Sequence, residues 1–203
     1  GLGSSNYYWV GGSGDWSDNA NHWATTSGGS VFHNQVPSPF DNVIFDENSF
    51  SAPGETVNLI AEAFCNDMTW DGVIGNPTIT TTNFDINISG DFEVLDSMIT
   101  VSITNADLPV GDDFFVTNAD FAFTLTGGAL TVAEDLIMDG VSAGTFTHKN
   151  TMTVNGDFLV TNSAMAFSFN IHLNLYGSFA LDGGCTWSQP TNRYIYFYSN
   201  DLG

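Results

Sequence analysis

Apolar and polar residues alternate along much of this chain, and the alternation returns at a nearly constant distance. The stretch INISGDFEVLD at 86–96 recurs as MTVNGDFLVTN at 152–162. Each unit has an acidic or small polar marker, with apolar residues three positions before it and one and three positions after it. The markers are Asp91, Asp113, Asp135, Asp157 and Ser178, which are 22, 22, 22 and 21 residues apart. A further step of 23 residues reaches Asp201, with Tyr198 three positions before it and Leu202 directly after it. This match predicts that the repeat continues.

The pattern within each unit is typical of β-strands. Ile88, Phe92 and Val94 share one parity while Asp91 and Glu93 share the other, which is the period of a half-buried strand. A unit of about 22 residues is too short for a propeller blade and lacks the leucine and asparagine signature of a leucine-rich repeat. We therefore predict an all-β fold, a right-handed parallel β-helix with about 22 residues per coil, in which equivalent positions stack about 4.8 Å apart.

The first 75 residues lack this repeat and are rich in aromatic side chains: Trp9, Trp16, Trp23, Phe32 and Phe40. The end of a solenoid exposes strand edges, and an atypical segment is expected to cap them. We predict that residues 1–75 form an aromatic N-terminal cap with the first strands. Residues 76–203 are then the coils of one continuous solenoid domain that leads into a further module.

Charge and composition exclude several partners. The chain has 23 acidic residues against two basic ones, and its formal net charge is -21. Such a surface repels nucleic acid and anionic lipid, and no run approaches the roughly 18 apolar residues of a membrane span. We expect neither nucleic-acid binding nor membrane insertion. The abundance of small polar residues and the scarcity of lysine favour an extracellular location.

Three runs of the N-terminal segment carry a resemblance: WVGGSGDWSDNANHW at 9–23, VPSPFDNVIFDENSF at 36–50 and CNDMTWDGVIGNPTI at 65–79. In this order they resemble the repeated module of very large cell-surface proteins of Bacteroidota, including gliding-motility adhesins, which the type IX secretion system exports. The resemblance covers roughly residues 7–80 and implies a secreted, surface-exposed, tandemly arrayed module. The family pattern often has cysteines before the Pro-Ser turn, where this chain reads VFHNQVPSP at 31–39.

The acidic residues are candidate ligands for Ca²⁺. The marker aspartates form a ladder whose mutual repulsion is relieved by solvent or by a divalent cation. We prefer a structural role to a metal-binding role. In this interpretation each Gly–Asp pair forms a corner, in which glycine admits positive φ and aspartate bonds nearby N–H groups. Two further acidic clusters in the cap either fold together around Ca²⁺ or form solvated Asx turns. The candidate ligands are Asp15, Asp18, Asp41, Asp46, Asp91, Asp113, Asp135 and Asp157.

The segment RYIYFY at 193–198 alternates tyrosines with Ile195 and Phe197. If its tyrosines point outward, they form a stacking surface for sugar rings. Alternatively, one parity fills the last coil and the next module covers the other, and the parity counted from Leu202 turns the last tyrosine inward. The candidate ligand-binding residues are Tyr194, Tyr196 and Tyr198.

The two cysteines, Cys65 and Cys185, lie about five coils apart, or roughly 25 Å at the strand spacing. A disulfide requires Cα atoms within about 7 Å. We predict that they are unpaired within the chain, and the alternative is a link between neighbouring modules. The four histidines lack the spacing of zinc ligands.

Parallel β-helices also include enzymes that cleave polysaccharides. A lyase needs a cationic base, and only Lys149 and Arg193 are available. A glycosidase needs two carboxylates about 5 to 10 Å apart in a cleft, which regular coils without long inserted loops do not build. We expect a non-catalytic structural or adhesive module of a long secreted bacterial surface protein or filament. The alternatives are a carbohydrate-binding module and a glycan-cleaving enzyme, and the expected partners are tandem modules, copies of the chain itself and surface polysaccharide.

Overall fold

A computed structural model describes residues 4–198 of the chain. Three parallel sheets, which we name A, B and C, form the sides of a β-helix with about seven coils. The chain passes through sheets A, B and C in turn and then rises to the next coil. The only helix in this range is the short α1 (Asn19–His22). The predicted all-β parallel β-helix is therefore confirmed.

Each sheet stacks one strand from every coil in order along the helix axis. Sheet A contains β3 (Trp23–Ala24), β1 (Asn6–Trp9), β4 (Asn42–Phe45), β7 (Met68–Asp71), β10 (Phe92–Leu95), β13 (Phe114–Thr117), β16 (Leu136–Asp139), β19 (Phe158–Thr161) and β22 (Phe179–Leu181). Sheet B contains β2 (Gly14–Asp15), β5 (Thr56–Leu59), β8 (Thr78–Thr82), β11 (Met98–Thr104), β14 (Asp120–Thr126), β17 (Ala143–Lys149), β20 (Met165–Phe169) and β23 (Thr186–Ser188). Sheet C contains β6 (Ala63–Cys65), β9 (Ile86–Ile88), β12 (Leu108–Val110), β15 (Leu130–Val132), β18 (Thr151–Val154), β21 (His172–Leu175) and β24 (Ile195–Phe197).

The core consists of apolar columns that run along the helix axis, because the parallel register places equivalent residues directly above one another. Phe92 lies opposite Phe114 in sheet A, and Phe123 lies opposite Phe146 in sheet B. All four are buried. The rings of Phe123 and Phe146 stack with centroids 4.3 Å apart. These columns are the apolar positions that recur in the sequence.

The structure has two complete coils before Asp91, the marker of the first repeat unit that the 22-residue spacing found in the sequence. Strands β4, β5 and β6 form the first complete coil, and β7 to β9 form the second. The step between coils is longer in this region, since the bond from the Asp91 amide to the Asp67 carboxylate spans 24 residues, whereas the next such bond spans 22. The position proposed as the end of the cap, residue 75, thus lies in a turn between β7 and β8.

An aromatic cluster closes the N-terminal end, as predicted. Strand β3 pairs antiparallel with β1 and covers the edge of sheet A. Trp9, Trp16 and Trp23 are buried, and the indole N–H groups of Trp9 and Trp23 donate to backbone carbonyls at 2.8 Å. Phe32 and Phe40 are instead exposed, the latter to 65%. Of the five aromatic residues predicted to form the cap, these two therefore contribute little buried volume, and both lie in the loop between β3 and β4.

The last described coil is less covered than the coils before it. Phe197 lies opposite Leu175 and so continues a buried column, yet its side chain is 62% exposed. This register places Tyr196 opposite Asn174, on the outward face. The alternative parity, which turned Tyr198 inward, is therefore wrong. The proposed marker Asp201 and the Leu202 that follows it lie outside the described residues.

Candidate functional site

The repeated aspartates form a hydrogen-bonded ladder along the corner that precedes sheet A. Oδ1 of each aspartate accepts the backbone N–H of the equivalent residue in the next coil. The distances are 3.1 Å for Asp67 to Asp91, 2.9 Å for Asp91 to Asp113, 2.8 Å for Asp113 to Asp135, 2.7 Å for Asp135 to Asp157 and 2.6 Å for Asp157 to Ser178. The preferred corner interpretation describes this geometry. Asp67 is a further member that the 22-residue spacing does not reveal.

In two coils, the glycine of the Gly–Asp pair leaves space beside the carboxylate of the preceding coil, whereas Asp112 and Glu134 occupy the equivalent position in the two coils between them. A Cβ added at Gly90 would lie 2.1 Å from Oδ1 of Asp67, and one added at Gly156 would lie 2.1 Å from Oδ1 of Asp135. Neither glycine is among the positive-φ residues. The sequence argument that glycine is there to admit positive φ is wrong at these positions. At Gly90 and Gly156, the absent Cβ instead leaves room for the carboxylate of the preceding coil where it now lies.

Positive φ occurs at other corners, where asparagine, aspartate and glycine replace one another. In the turn between sheets A and B, the column has φ values of 67° at Gly72, 46° at Asp96, 50° at Asn118, 71° at Gly140 and 47° at Asn162. These residue types tolerate the left-handed region better than others do. The repeat therefore contains a second corner signal that the aspartate markers did not reveal.

Like charges are close together beside the ladder. The carboxylates of Asp91, Asp113 and Asp67 act on Asp112, and Asp91 is the main cause that raises the pKa of Asp112 above its ordinary value. Asp112 itself is exposed. In residues 4–198, however, no three His, Cys, Asp or Glu side chains come together in a group that could hold a metal ion. The ladder carboxylates are engaged with backbone N–H groups.

The cap aspartates hold turns. Asp41 accepts the backbone N–H of Ser38 and of Ser5, both at 3.0 Å, and the Ser38 hydroxyl at 2.6 Å. Burial opposes ionisation of Asp41, but these hydrogen bonds outweigh it and hold its pKa below the ordinary value. Asp46 accepts the backbone N–H of Asn48 at 2.9 Å.

The remaining two cap candidates are bonded to asparagine side chains. Asp15 accepts from Asn58 at 3.0 Å, and Asp18 accepts from Asn21 at 2.9 Å. The four cap candidates thus have separate local partners. Within residues 4–198 they do not come together in a group that could hold a metal ion, and the preferred interpretation as separate turns describes their geometry.

The three candidate tyrosines share the outward face at the end of sheet C. Tyr194, Tyr196 and Tyr198 are 55%, 42% and 43% exposed. Tyr194 stacks on His172 with ring centroids 5.9 Å apart, and Tyr198 stacks on Tyr176 at 4.8 Å. The rings of Tyr194 and Tyr196 are inclined to each other by 52°. The tyrosines therefore form an exposed aromatic cluster with tilted rings.

Two open depressions lie beside sheet B. One of about 330 Å³ lies at the N-terminal ends of the central strands β11, β14 and β17 and is lined by Asn76, Met98, Asp120, Ala122 and Thr145, among others. A neighbouring depression of about 220 Å³ includes Asp96 and Asp120. Asp120 accepts a short hydrogen bond from the hydroxyl of Ser142. Asp96 and Asp120 are thus two carboxylates beside one depression, and the enzyme alternative could use them.

Both cysteines are free, which confirms the prediction that they are unpaired within the chain. Cys65 is buried in the first complete coil, and burial raises the pKa of its thiol far above the ordinary value. Cys185 is half-buried in the last coil.

The histidines pack in different ways. His22 stacks on Trp9 in the cap, and His148 is fully buried, with its ring nitrogens 3.1 and 2.9 Å from two backbone carbonyl oxygens.

Among residues 4–198, no helix has the length and apolar character needed to cross a bilayer. Comparison of the chain with protein-family models, with curated proteins and with solved structures found no match.

Proposed function

We propose that this chain is a non-catalytic structural and adhesive module of a long secreted bacterial surface protein or filament. The observation that carries the proposal is the continuity of the three sheets from the cap to the last described coil. From β6 onward, the connections between consecutive strands have six residues or fewer. Short connections leave a stack of backbone ladders with few places to bend and no long loop to build a cleft.

The last described coil supports stacking on a neighbouring tandem module or on another copy of the chain. Phe179, Trp187 and Ile195 are only partly buried, although the same columns are fully buried in the preceding coils. The only charged residues within 176–198 are Asp182 and Arg193. An end with apolar columns, strand edges and balanced charge suits the addition of another coil.

Immunolabelling of cells that make the protein tests the proposal. Antibodies against the purified chain are expected to label intact, unpermeabilised cells, and immunoelectron microscopy is expected to place the label along extended structures at the surface. Labelling that requires permeabilisation would rule out a surface module. Release of reducing sugars from polysaccharide, lost in Asp120→Asn, would support the enzyme alternative instead.

The exposed tyrosine cluster favours a second candidate, a carbohydrate-binding module. Aromatic rings stack on sugar rings, and tyrosine hydroxyls offer hydrogen bonds at the edge of such a surface. The test is a glycan array with the chain, with Tyr196→Ala and with Tyr8→Ala, which removes a half-buried aromatic ring on sheet A at the other end of the molecule. Retention that is lost only in Tyr196→Ala would support this candidate, whereas no retention by the unaltered chain would reject it.

A further inference from the structure

The outward face of sheet B carries two ranks of hydroxyl side chains, which the strand register aligns along the helix axis. We call these two ranks the threonine face; 11 of their 14 members are threonine or serine, and the others are two alanines and one asparagine. The first rank is Thr56, Thr78, Thr100, Ala122, Thr145, Ala166 and Thr186. The second rank is Asn58, Thr80, Ser102, Thr124, Thr147, Ser168 and Ser188. Thr82, Thr104 and Thr126 extend the face in a partial third rank.

The other two sheets have no such face. The outward positions of sheet A include Glu93, Phe115 and Ile137, and those of sheet C include Pro109 and Asn174. The β-propensity of threonine is the same in all three sheets, so propensity alone does not explain its concentration on one of them. Both ranks also lack charged residues in a chain whose net charge is -21.

The hydroxyls of the threonine face have few partners within the protein. In the described part of the chain, Thr100 is the one member of the two ranks whose hydroxyl bonds to another side chain, Oδ1 of Asn76 at 3.0 Å. Thr145 is exposed, and Thr80 and Thr124 are half-exposed. Each free hydroxyl can donate one hydrogen bond and accept others. The hydrogen-bonding capacity of the face is therefore directed outward.

The spacing of these hydroxyls is close to that of a crystalline water lattice. Neighbouring strands place them about 4.8 Å apart, and the two ranks are about 6.6 Å apart along a parallel strand. An O–H···O separation of about 2.75 Å in a tetrahedral network puts next-nearest oxygens about 4.5 Å apart and repeats along the hexagonal axis after about 7.3 Å. The two ranks are thus about 0.7 Å closer together than the axial repeat. With the central strand in register, the difference of about 0.3 Å per strand grows to about 0.9 Å at the third strand on either side.

We infer that the threonine face binds the surface of ice. Its hydroxyls hydrogen-bond to lattice water, and the threonine methyl groups fill the spaces between them. The ranks contain no aromatic ring, which is the group that stacks on sugars, and no charge that would favour bulk hydration over an ordered lattice. This inference goes beyond the proposed surface module and does not depend on it, because the purified chain is sufficient to test it.

The experiment measures how much of the purified chain a slowly growing ice shell takes up, together with inhibition of ice recrystallisation. The unaltered chain is expected to be enriched in the ice. Thr124→Tyr places a bulky ring in the middle of the threonine face and is expected to abolish the enrichment. Thr131→Tyr is the matched control, because Thr131 is exposed on β15 of sheet C in the same coil. Thr80→Tyr repeats the test two coils away, and circular dichroism verifies that each variant is folded.

Loss of enrichment in Thr124→Tyr and Thr80→Tyr, with retention in Thr131→Tyr, would establish the threonine face as the binding surface. Exclusion of the unaltered chain from ice would overturn the inference. So would equal loss in the control, or full enrichment of both sheet B variants. Adsorption to crystalline cellulose or chitin without adsorption to ice would also overturn it and would assign the face to polysaccharide.

Discussion

Replacement of Asp113 separates the two roles that a repeated carboxylate can have. Oδ1 of Asp113 accepts the N–H of Asp135 at 2.8 Å, and the Asp113 amide donates to Asp91 at 2.9 Å. Asp113→Ala removes the acceptor, so the amide of Asp135 loses its partner in the preceding coil. Asp113→Asn keeps an acceptor oxygen at the same place but removes the charge. The pair therefore distinguishes a structural hydrogen bond from a carboxylate that is needed for its charge.

The expected magnitudes follow from the geometry. A hydrogen bond to a charged group contributes about 1.5 to 3 kcal/mol, and partial solvent access at this half-exposed corner reduces the cost of Asp113→Ala to about 1 to 2 kcal/mol. In Asp113→Asn, the amide oxygen accepts a weaker hydrogen bond from the Asp135 N–H than the carboxylate does. This loss is offset because the variant no longer has the repulsion between the Asp113 carboxylate and the neighbouring carboxylates of the ladder. Two ladder neighbours about 4.8 Å away each contribute about 0.9 kcal/mol at the dielectric constant of water, and physiological salt roughly halves this. We expect Asp113→Asn to remain close to the unaltered chain in stability.

Urea unfolding followed by circular dichroism measures both differences. A loss of about 1 to 2 kcal/mol corresponds to a fall of roughly 2 to 8 °C in the thermal midpoint of a domain of this size. In about 1 M salt, where screening is nearly complete, Asp113→Asn should become less stable than the unaltered chain. Equal destabilisation by alanine and asparagine would refute the hydrogen-bond role. A thermal midpoint that rises in millimolar Ca²⁺ only when Asp113 is present would instead make the ladder a cation site.

Three further outcomes follow from the core and from the titrating groups. Phe123→Ala, which removes a buried ring stacked on Phe146, should lower the free energy of unfolding by about 3 to 5 kcal/mol in urea titrations. A thiol reagent should modify Cys185 in the folded chain and Cys65 only after denaturation, as measured by mass spectrometry, because Cys65 is buried and burial keeps its thiol protonated. Burial lowers the pKa of His148, although its two carbonyl contacts partly oppose this. The unfolded chain therefore binds the proton more readily than the folded chain. As the pH is lowered below about 6.5, the urea concentration at the unfolding midpoint should decrease, and the decrease should be smaller in His148→Gln.

The coils were predictable from sequence wherever the spacing between them was constant. In sheet A, equivalent apolar residues from Phe92 to Phe158 follow one another every 22 residues, so a search at one period finds them. In sheet B the step varies, since Phe123 lies opposite Phe146, 23 residues later. Asp67 occupies the same ladder but lies 24 residues before Asp91. A single period misses it because the turn between β7 and β8 is longer than the equivalent turn of the next coil, between β10 and β11. A solenoid can absorb such an insertion in a corner without changing its columns, which is why repeat length is a weaker signal than column composition.

The predictions that failed depended on information outside a single strand. Backbone conformation was the expected reason for the glycine before Asp91 and Asp157. At Gly90, the structure instead shows the carboxylate of the preceding coil 2.1 Å from the position that a Cβ would occupy. That contact joins residues 23 positions apart and is visible only once the register is known. The exposure of Phe40 likewise depends on where its loop lies, since aromatic character alone does not distinguish a core residue from a loop residue.

The distribution of charge explains how so acidic a chain forms a regular stack. The ladder carboxylates lie at a corner, where solvent screens their repulsion and backbone N–H groups of the next coil compensate part of it. Some repulsion remains at this corner, where the carboxylate of Asp91 raises the pKa of Asp112. Because the acidic groups lie at corners, in loops, at the ends of strands and, for Glu93, on sheet A, the two ranks of sheet B stay uncharged. The same arrangement that lets the coils stack therefore leaves one side of the molecule free for a neutral, regularly spaced hydroxyl surface.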